Sequence, residues 1–397
     1  MRRLLIIALQ ALLGLGGILA GCTTASPSVL LGQSSPATSA IAPPSAQAPA
    51  AGRPTPTSAL ATSAPSPSSS AKLVRPDGLI AVDEYQPGDA SLFSDSVFSN
   101  GLVGGVAPRF NWQDLEPGAG QFAWSILDQV FTQATASHKF VVLILVPGFG
   151  TPAWALQGLT TATFARQYGL GAGQAGPLPL PWDQAYLSRW FEFLEAVADR
   201  YENNPAFRMV SAAGPTSVSA EMSLPNGSAD LTHWTTLGYT SSRYEAAWTT
   251  TLAAYERIFP RQFISFALYP GLPIGDDGTS DPSQRTSTPA AIVDEGLRDK
   301  AVFALQTSGL TGSKGDTAGY DLVKTNRGSI VTGFQLSTSA TRNPGQMGNA
   351  ADPVDALRLA LDRGTAAGVD FLEVYQADVL NPAMQAVLQT TMADLPH

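Results

Sequence analysis

Residues 103–146 read VGGVAPRFNWQDLEPGAGQFAWSILDQVFTQATASHKFVVLILV and contain the pattern that decides the fold. Apolar runs over 103–110 and 140–146 predict β-strands. Between them, residues 124–137 carry apolar side chains at helical spacing, which predicts a helix. A strand, a helix and a second strand in this order predict a βαβ unit, whose two strands run parallel.

The same alternation of short apolar runs and longer amphipathic stretches continues beyond this unit. It predicts one α/β domain, a single (β/α)8 TIM barrel over residues 73–397, because that fold takes ~250 residues and tolerates insertions. The eight candidate strands are 79–82, 103–110, 140–146, 207–213, 263–269, 301–306, 330–336 and 371–375. The clearest helices are 124–137, 184–201, 244–258 and 353–367.

Five long segments follow predicted strands and carry many Gly, Ser and Thr residues. Barrel enzymes build their active sites from the loops at the C-terminal ends of the strands. We therefore expect these segments to line a cleft at that end of the barrel. They are 156–182, 223–243, 272–294, 307–327 and 337–352.

The N-terminus carries the pattern of a secretion signal. A cationic start precedes the apolar run 4–20, which predicts a signal peptide over residues 1–21. The run ends in Leu-Ala-Gly-Cys, with Cys22 last. This resembles the lipobox of bacterial lipoproteins, in which the cysteine after the cleavage site carries the lipid. The alternative is an uncleaved transmembrane anchor, although the run is short for a span of ~20 residues.

Residues 22–72 combine the lipidated Cys22 with a segment of Ser, Thr, Ala, Pro and Gly. Such a segment cannot bury enough apolar surface to offset its loss of conformational entropy, so we predict a disordered tether. The resulting protein would be anchored to the cell membrane by lipid only and would face outward at the cell surface.

The composition disfavours several classes of protein. The net charge of −9 repels phosphate backbones and anionic lipid, so we expect no nucleic-acid partner. One cysteine rules out an internal disulfide, and His138, His233 and His397 have no metal-ligand spacing, so we expect neither a metal nor a cofactor. The acidic loop 276–281 could hold calcium, but a solvated turn is the interpretation that we favour.

Residues 109–128 contain a motif that carries a family resemblance. It reads Trp-x-x-Leu-Glu-Pro-x-x-Gly-x-Phe-x-Trp and then Leu-Asp, beginning at Trp112. This resembles the second βα unit of clan A glycoside hydrolases, a group with many β-galactosidases, cellulases and xylosidases. Residues 151–154, Thr-Pro-Ala-Trp, resemble the next unit, where a Pro-x-Trp turn often lines the sugar site. We expect Glu116 of the motif to be structural.

The resemblance also implies where catalytic carboxylates should lie. Clan A enzymes place an acid/base glutamate after strand four, and Glu221 follows the fourth predicted strand, although Ala220 stands where Asn is usual. Their nucleophile follows strand seven, where this sequence has Gln335, a neutral amide that cannot attack an anomeric carbon. Glu373, in strand eight, is therefore our candidate nucleophile or base. If the strand count is wrong by one, Glu373 would occupy the seventh position.

Weaker candidates for the second carboxylate are Asp378 and Glu84. Sugar rings stack on aromatic side chains, and sugar hydroxyls bind amides and guanidinium groups. Side chains of these types at or near predicted strand ends are therefore candidate substrate contacts. They are Arg109, Asn111, Trp112, Trp154, Tyr269, Gln306, Gln335 and Tyr375.

We therefore predict a cell-surface glycosidase that hydrolyses O-glycosidic bonds of a polysaccharide or oligosaccharide by a two-carboxylate mechanism. The main alternative is a catalytically inactive TIM-barrel lipoprotein that binds glycans, which Gln335 and the absence of an Asn-Glu pair suggest. A lipoprotein scaffold or solute-binding protein is a third class. Two-lobed binding proteins, however, would show two separate α/β halves.

Overall fold

The computed structural model describes residues 73–169, 171–297, 302–313, 317–348 and 351–396. The predicted signal peptide, Cys22 and the tether lie outside the described residues. Within the described part of the chain, eight parallel strands form a closed barrel. Each strand pairs with the next along the sequence, and the eighth pairs with the first. The predicted (β/α)8 barrel is thus confirmed.

The strands of the barrel are close to those predicted, and the largest differences fall at their C-terminal ends. The fourth strand ends at Ser211 rather than at residue 213, whereas the sixth starts at Phe303 and continues to Leu310. The barrel strands are Gly78–Glu84, Val103–Asn111, Phe140–Val146, Phe207–Ser211, Phe263–Leu268, Phe303–Leu310, Val331–Leu336 and Phe371–Tyr375.

Helices separate most of the strands. The four helices predicted from the sequence are present with small shifts at their ends, and several shorter ones were missed. The α-helices are Asp95–Ser99, Trp112–Leu115, Ser125–Ala136, Gln184–Tyr201, Ser228–Thr236, Ser241–Ile258, Gln284–Gly296, Thr317–Asn326, Pro353–Ala366, Gln376–Val379 and Gln385–Asp394. The 3-10 helices are Gly148–Gly150, Ala153–Leu156, Pro344–Met347 and Pro382–Met384. Over the described residues, none of the helices has both the length and the apolar character of a membrane span.

The third strand shows why the sequence forms a barrel. All seven side chains of Phe140–Val146 are buried, because one face points into the barrel and the other is covered by helices. Burial of one such aliphatic side chain contributes about 1.5–3 kcal/mol. A continuous apolar run without alternation is therefore the pattern expected of a barrel strand.

The Leu-Glu-Pro motif builds the packing around the second strand. The indole of Trp112 is fully buried against Trp190 and Phe193 of the helix Gln184–Tyr201. Its Nε1 donates to Glu116 Oε2 at 2.8 Å, and the backbone N–H of Gly120 donates to Glu116 Oε1 at 2.9 Å. Glu116 therefore holds the loop and the indole together, which agrees with the structural role expected for it.

The segment 156–182 contains an element that the sequence analysis did not predict. Strands Thr161–Ala165 and Ala175–Pro179 pair antiparallel and form a hairpin apart from the barrel sheet. The hairpin follows the third barrel strand, so it stands at the C-terminal end of the barrel. It carries side chains to the mouth of the barrel, where the candidate site lies.

Candidate active site

A cavity of about 300 Å³ opens at the C-terminal mouth of the barrel. Its walls come from the ends of the first two barrel strands, the loop after the fourth strand and the tip of the hairpin. Most of the side chains are polar, and several carry a charge. The lining residues are Glu84, Tyr85, Pro87, Arg109, Asn111, Gln113, Asp114, Arg166, Tyr168, Gly169, Gly171, Gln174, Val218 and Ser219.

Glu221 lies directly behind two of these lining residues. Its side chain is only 9% exposed. The hydroxyl of Tyr168 donates to Glu221 Oε2 at 3.0 Å, and the hydroxyl of Ser219 donates to the same oxygen at 3.2 Å. Among the described contacts, both of these hydrogen bonds therefore fall on Oε2.

The loop that carries Glu221 is held by its own small polar side chains. The Thr216 hydroxyl contacts the carbonyl oxygens of Ser219 and Glu221, and Ser217 Oγ donates to the carbonyl oxygen of Ser223 at 2.8 Å. These serines and the threonine are all buried. Buried polar groups are stable only when they are hydrogen-bonded, so the Ser-rich composition of this loop satisfies its own backbone.

Neighbouring elements fix this loop at the barrel mouth. The N–H of Met222 donates to the carbonyl of Ala267 at 3.0 Å, which ties the loop to the end of the fifth strand. On the other side, the N–H of Phe149 donates to the carbonyl of Ser217 at 2.9 Å. Gly148 permits this approach, because its φ is +67° and a Cβ there would lie 2.3 Å from the same carbonyl oxygen.

Arg109 lies at the centre of the charged groups in the barrel mouth. Its Nη2 donates to Gln335 Oε1 at 3.0 Å, and Gln335 Nε2 lies 3.3 Å from the hydroxyl of Tyr375. Burial lowers the pKa of Arg109, but the nearby Tyr375, Glu84, Glu221 and Glu373 outweigh it and leave the pKa above its ordinary value. Arg109 is therefore a fixed positive charge among three carboxyl groups.

Glu373 lies in the barrel wall next to Gln335, its register partner on the seventh strand. Its side chain is fully buried, and among the described residues neither carboxyl oxygen has a hydrogen-bond partner. Burial raises the pKa of Glu373 to about 7, against the lowering effect of Arg109. Its strand is the eighth of the barrel, so the alternative count that would place Glu373 at the seventh position is wrong.

The two weaker candidates have different surroundings. Glu84 ends the first strand, is half-buried and lines the cavity. Asp378 is fully buried and accepts hydrogen bonds from Ser339 Oγ and from the backbone N–H groups of Ala340 and Thr341. Asp378 thus stabilises the loop after the seventh strand, and Glu84 is the one of the two that a ligand can reach.

Three of the candidate substrate contacts lie away from the cavity. Trp112 is a core residue, because its indole packs inside the Leu-Glu-Pro turn rather than at the mouth. Trp154 packs edge-on against Trp112, and its Nε1 donates to the carbonyl of Glu116 at 3.1 Å. Gln306 is buried in the sixth strand. An aromatic or amide side chain at a strand end can face either the core or the cleft, and the sequence alone does not distinguish these two directions.

The other candidates lie closer to the mouth. Arg109 and Asn111 line the cavity, and Asn111 Nδ2 donates to Asp114 Oδ2 at 3.1 Å. Gln335 and Tyr375 are joined to Arg109 as described above. Tyr269 follows the fifth strand and is partly buried against the core.

The residues that the sequence analysis missed come mainly from the hairpin. Arg166, Tyr168 and Gln174 line the cavity. Polar and apolar residues alternate at the start of Thr161–Ala165, and the structure buries the apolar Ala162 and Phe164. This alternation is the sequence signal that could have predicted a strand there. The prolines at 177 and 179 hid the partner strand, since proline is uncommon in strand interiors.

The structure gives no cluster suited to a metal within the described residues. In the acidic loop, Asp276 accepts hydrogen bonds from Ser241 and Ser242, and Asp277 accepts two from Thr279. Asp281 accepts hydrogen bonds from Ser283. These carboxylates serve their own turns and a neighbouring helix start.

Residues 105–260 match the family model described as Glyco_hydro_42, Beta-galactosidase. The matched segment includes most of the second barrel strand, the third and fourth strands, the hairpin and the Glu221 loop. The match confirms the resemblance to glycoside hydrolases predicted from the sequence. A comparison with curated proteins found no match.

Among solved structures, the chain is similar to a β-galactosidase from the psychrophilic Marinomonas ef1, with 10% identity and a TM-score of 0.46 over 79% of this chain and 59% of that one. A β-galactosidase from the Antarctic haloarchaeon Halorubrum lacusprofundi gives 11% identity and a TM-score of 0.47 over 80% and 57%. Xylanase 10B from Thermotoga maritima gives 8% identity and a TM-score of 0.45 over 80% and 96%. The chain thus spans less than two thirds of either β-galactosidase.

Proposed function

We propose that the barrel hydrolyses O-glycosidic bonds of a polysaccharide or oligosaccharide, with Glu221 as the general acid. The observation that carries this proposal is the placement of Glu221 after the fourth strand, at the barrel mouth, with one carboxyl oxygen held by Tyr168 and Ser219. A positioned carboxyl group beside a polar cavity can donate a proton to a leaving-group oxygen. The family match over residues 105–260 supports the same reaction class.

Two carboxyl groups compete for the second role in the reaction, that of nucleophile or base. Glu373 was favoured from the sequence, but it is fully buried and burial raises its pKa to about 7. Glu84 lines the cavity and is half-buried, so a sugar or a water molecule can reach it. Both lie close enough to Arg109 to raise its pKa, and Glu221 does so too.

Substitution separates the two assignments. Glu84→Gln and Glu373→Gln variants would be compared with the wild type on aryl glycosides and natural polysaccharides. The variant that lacks the nucleophile or base loses turnover on every substrate, because no leaving group replaces the missing carboxylate. The other variant keeps its turnover. Full activity in both variants would contradict a two-carboxylate mechanism built from this cluster.

A second candidate function is glycan binding without cleavage. Gln335 favours it, because the seventh strand carries a neutral amide that is held by Arg109 and Tyr375 where clan A enzymes have their nucleophile. Calorimetric titration of the same sugars decides between the two. Tight binding with no hydrolysis by the wild type would favour the binding function.

We also propose that the protein acts outside the cytoplasm. The cationic start, the apolar run and Cys22 support a lipid anchor at the cell membrane, and residues 22–72 would act as the tether. An extended tether of this length could reach ~150 Å at ~3.1 Å per residue. A barrel on such a tether could act on glycans at some distance from the membrane.

A further inference from the structure

The hairpin reaches the candidate acid through one side chain. Tyr168 lies just after the first hairpin strand, Thr161–Ala165, and its half-buried side chain lines the cavity. Its hydroxyl lies 3.0 Å from Glu221 Oε2, 3.3 Å from Ser219 Oγ and 2.9 Å from Ser223 Oγ. One tyrosine from an insertion thus meets the carboxyl group and both serines beside it.

The chemistry of the phenol sets the direction of these hydrogen bonds. A phenol has a single proton, which Tyr168 can donate to Glu221 Oε2 or to Ser223 Oγ, and the ionised carboxylate is the stronger acceptor of the two. Burial and the charge of Glu221 raise the pKa of Tyr168, which keeps its proton on the oxygen. Tyr168 therefore acts as a fixed neutral donor to one oxygen of the carboxyl group.

The hairpin tip that carries Tyr168 is anchored at several points. The N–H of Arg166 donates to the carbonyl of Gln174 at 3.0 Å, which continues the hairpin pairing towards the tip. Arg166 Nη2 donates to the carbonyl of Phe149 at 3.1 Å, and the guanidinium lies 5.2 Å above the Phe149 ring. The N–H of Phe149 also donates to the carbonyl of Ser217 in the Glu221 loop. The hairpin and the Glu221 loop are therefore both hydrogen-bonded to Phe149.

We propose that Tyr168 is a positioning residue that fixes the carboxyl group of Glu221 and stabilises its ionised form, an inference that rests on the proposed role of Glu221 as acid. The hydrogen bond to Oε2 orients the side chain. A hydrogen bond donated to a carboxylate favours the ionised form over the protonated form. Tyr168 thereby holds the carboxyl group of Glu221 in one orientation.

The test compares Tyr168→Phe with the wild type in the full chain. We expect turnover of an unactivated glycoside to fall about tenfold, because a hydrogen bond to a charged group is lost. The alkaline limb of the pH–rate profile should move to higher pH, since the carboxyl group then keeps its proton longer. Tyr320→Phe is the matched control, because its hydroxyl binds the carbonyl of Arg363 on the outside of the barrel.

A second measurement does not depend on activity. The carboxyl resonance of Glu221 would be followed by ¹³C NMR against pH and assigned with Glu221→Gln. In Tyr168→Phe the pH midpoint of the change in this resonance should move to higher pH. In Tyr320→Phe this midpoint should stay in place. If Tyr168→Phe fails to fold, Ser223→Ala removes the competing acceptor of the phenol proton and should move the midpoint slightly to lower pH.

The outcomes separate this inference from the proposed function. An unchanged midpoint and an unchanged pH profile in Tyr168→Phe would overturn the inference, whatever the activity of the wild type. A shifted midpoint in a protein that cleaves no glycoside would support the contact with Glu221 and overturn the proposed function. A shifted midpoint together with the shifted profile supports both.

Discussion

At the scale of single residues, the site is defined by carboxyl groups in different surroundings. Glu221 is hydrogen-bonded behind the cavity wall, Glu84 faces the cavity, and Glu373 is enclosed without a partner among the described residues. The charges of all three carboxyl groups raise the pKa of Arg109. Environments that separate the pKa values of neighbouring carboxyl groups are the arrangement that acid–base chemistry needs.

The burial of Glu373 predicts a pH-dependent stability. Burial raises its pKa from 4.5 to about 7, so the folded protein holds this proton more tightly than the unfolded chain does. The free energy of unfolding therefore falls as the pH rises from about 4.5 to 7, by an amount on the order of 3 kcal/mol. Glu373→Gln cannot ionise and should be more stable than the wild type at pH 8.

Urea unfolding at pH 4.5 and pH 8 measures this difference. Glu195→Gln is the control, because Glu195 forms an exposed ion pair with Arg257 and its removal should change little at either pH. A Glu373→Gln variant that is less stable than the wild type at pH 8 would contradict the prediction. It would mean that attraction between ionised Glu373 and Arg109 exceeds the cost of burial.

At the scale of elements, the loops after the third and fourth strands form one unit. The 3-10 turn Gly148–Gly150 packs against the Ser-rich loop, and the hairpin packs on the same turn through Arg166. The position of Glu221 thus depends on a close backbone contact at Gly148 as well as on its own hydrogen bonds.

Gly148→Ala tests this dependence. Any side chain at φ +67° costs about 1–2 kcal/mol, and here the added Cβ would also lie 2.3 Å from the Ser217 carbonyl oxygen. We expect a larger loss of stability, together with reduced activity because the Glu221 loop must move. Gly158→Ala is the matched control, since its φ is +74° and nothing lies within 4 Å of its Cβ. Equal losses in the two variants, measured by urea unfolding, would argue against the contact.

The elements also show how far the sequence could predict this molecule. Continuous apolar runs such as Phe140–Val146 predicted the barrel, because strands covered on both faces have no other pattern. The hairpin was not predicted, because its two strands are short and one contains prolines. The core position of Trp112 was not predicted either, because it depends on contacts with Trp190 and Phe193, which are distant from Trp112 in the sequence.

The candidate site was predicted only in outline. Placing Glu221 at the barrel mouth needed nothing more than a strand count and a family resemblance. The partners of its carboxyl group could not be predicted, because Tyr168 comes from the unrecognised hairpin. The burial of Glu373 could not be predicted either. The alternation of a strand indicates on which face a side chain lies, but it does not indicate how deep the cavity reaches into the barrel.

At the scale of the whole molecule, we propose a barrel that a tether joins to a lipid anchor. Residues 22–72 have the composition of a flexible linker, and the barrel occupies the chain after them. If Cys22 carries the lipid, the protein should fractionate with membranes, and limited proteolysis should remove residues 22–72 and leave a compact fragment. Cys22→Ser should be released or left unprocessed.

Fractionation of the wild type and the Cys22→Ser variant, with labelling by a fatty-acid analogue, checks the anchor. Identical fractionation and labelling of the two proteins would contradict the lipobox interpretation. Cleavage spread evenly into residues beyond 80 would contradict a flexible tether joined to one compact barrel.

If Glu221 donates the proton in glycoside hydrolysis, the loss of activity on its removal should depend on the leaving group. Turnover by the wild type and Glu221→Gln would be measured on an unactivated glycoside and on an activated aryl glycoside. We expect a loss of about 10²–10⁴-fold on the unactivated substrate and a small loss on the activated one, whose leaving group needs little protonation. Equal losses on both substrates, or full activity of Glu221→Gln on the unactivated one, would contradict it.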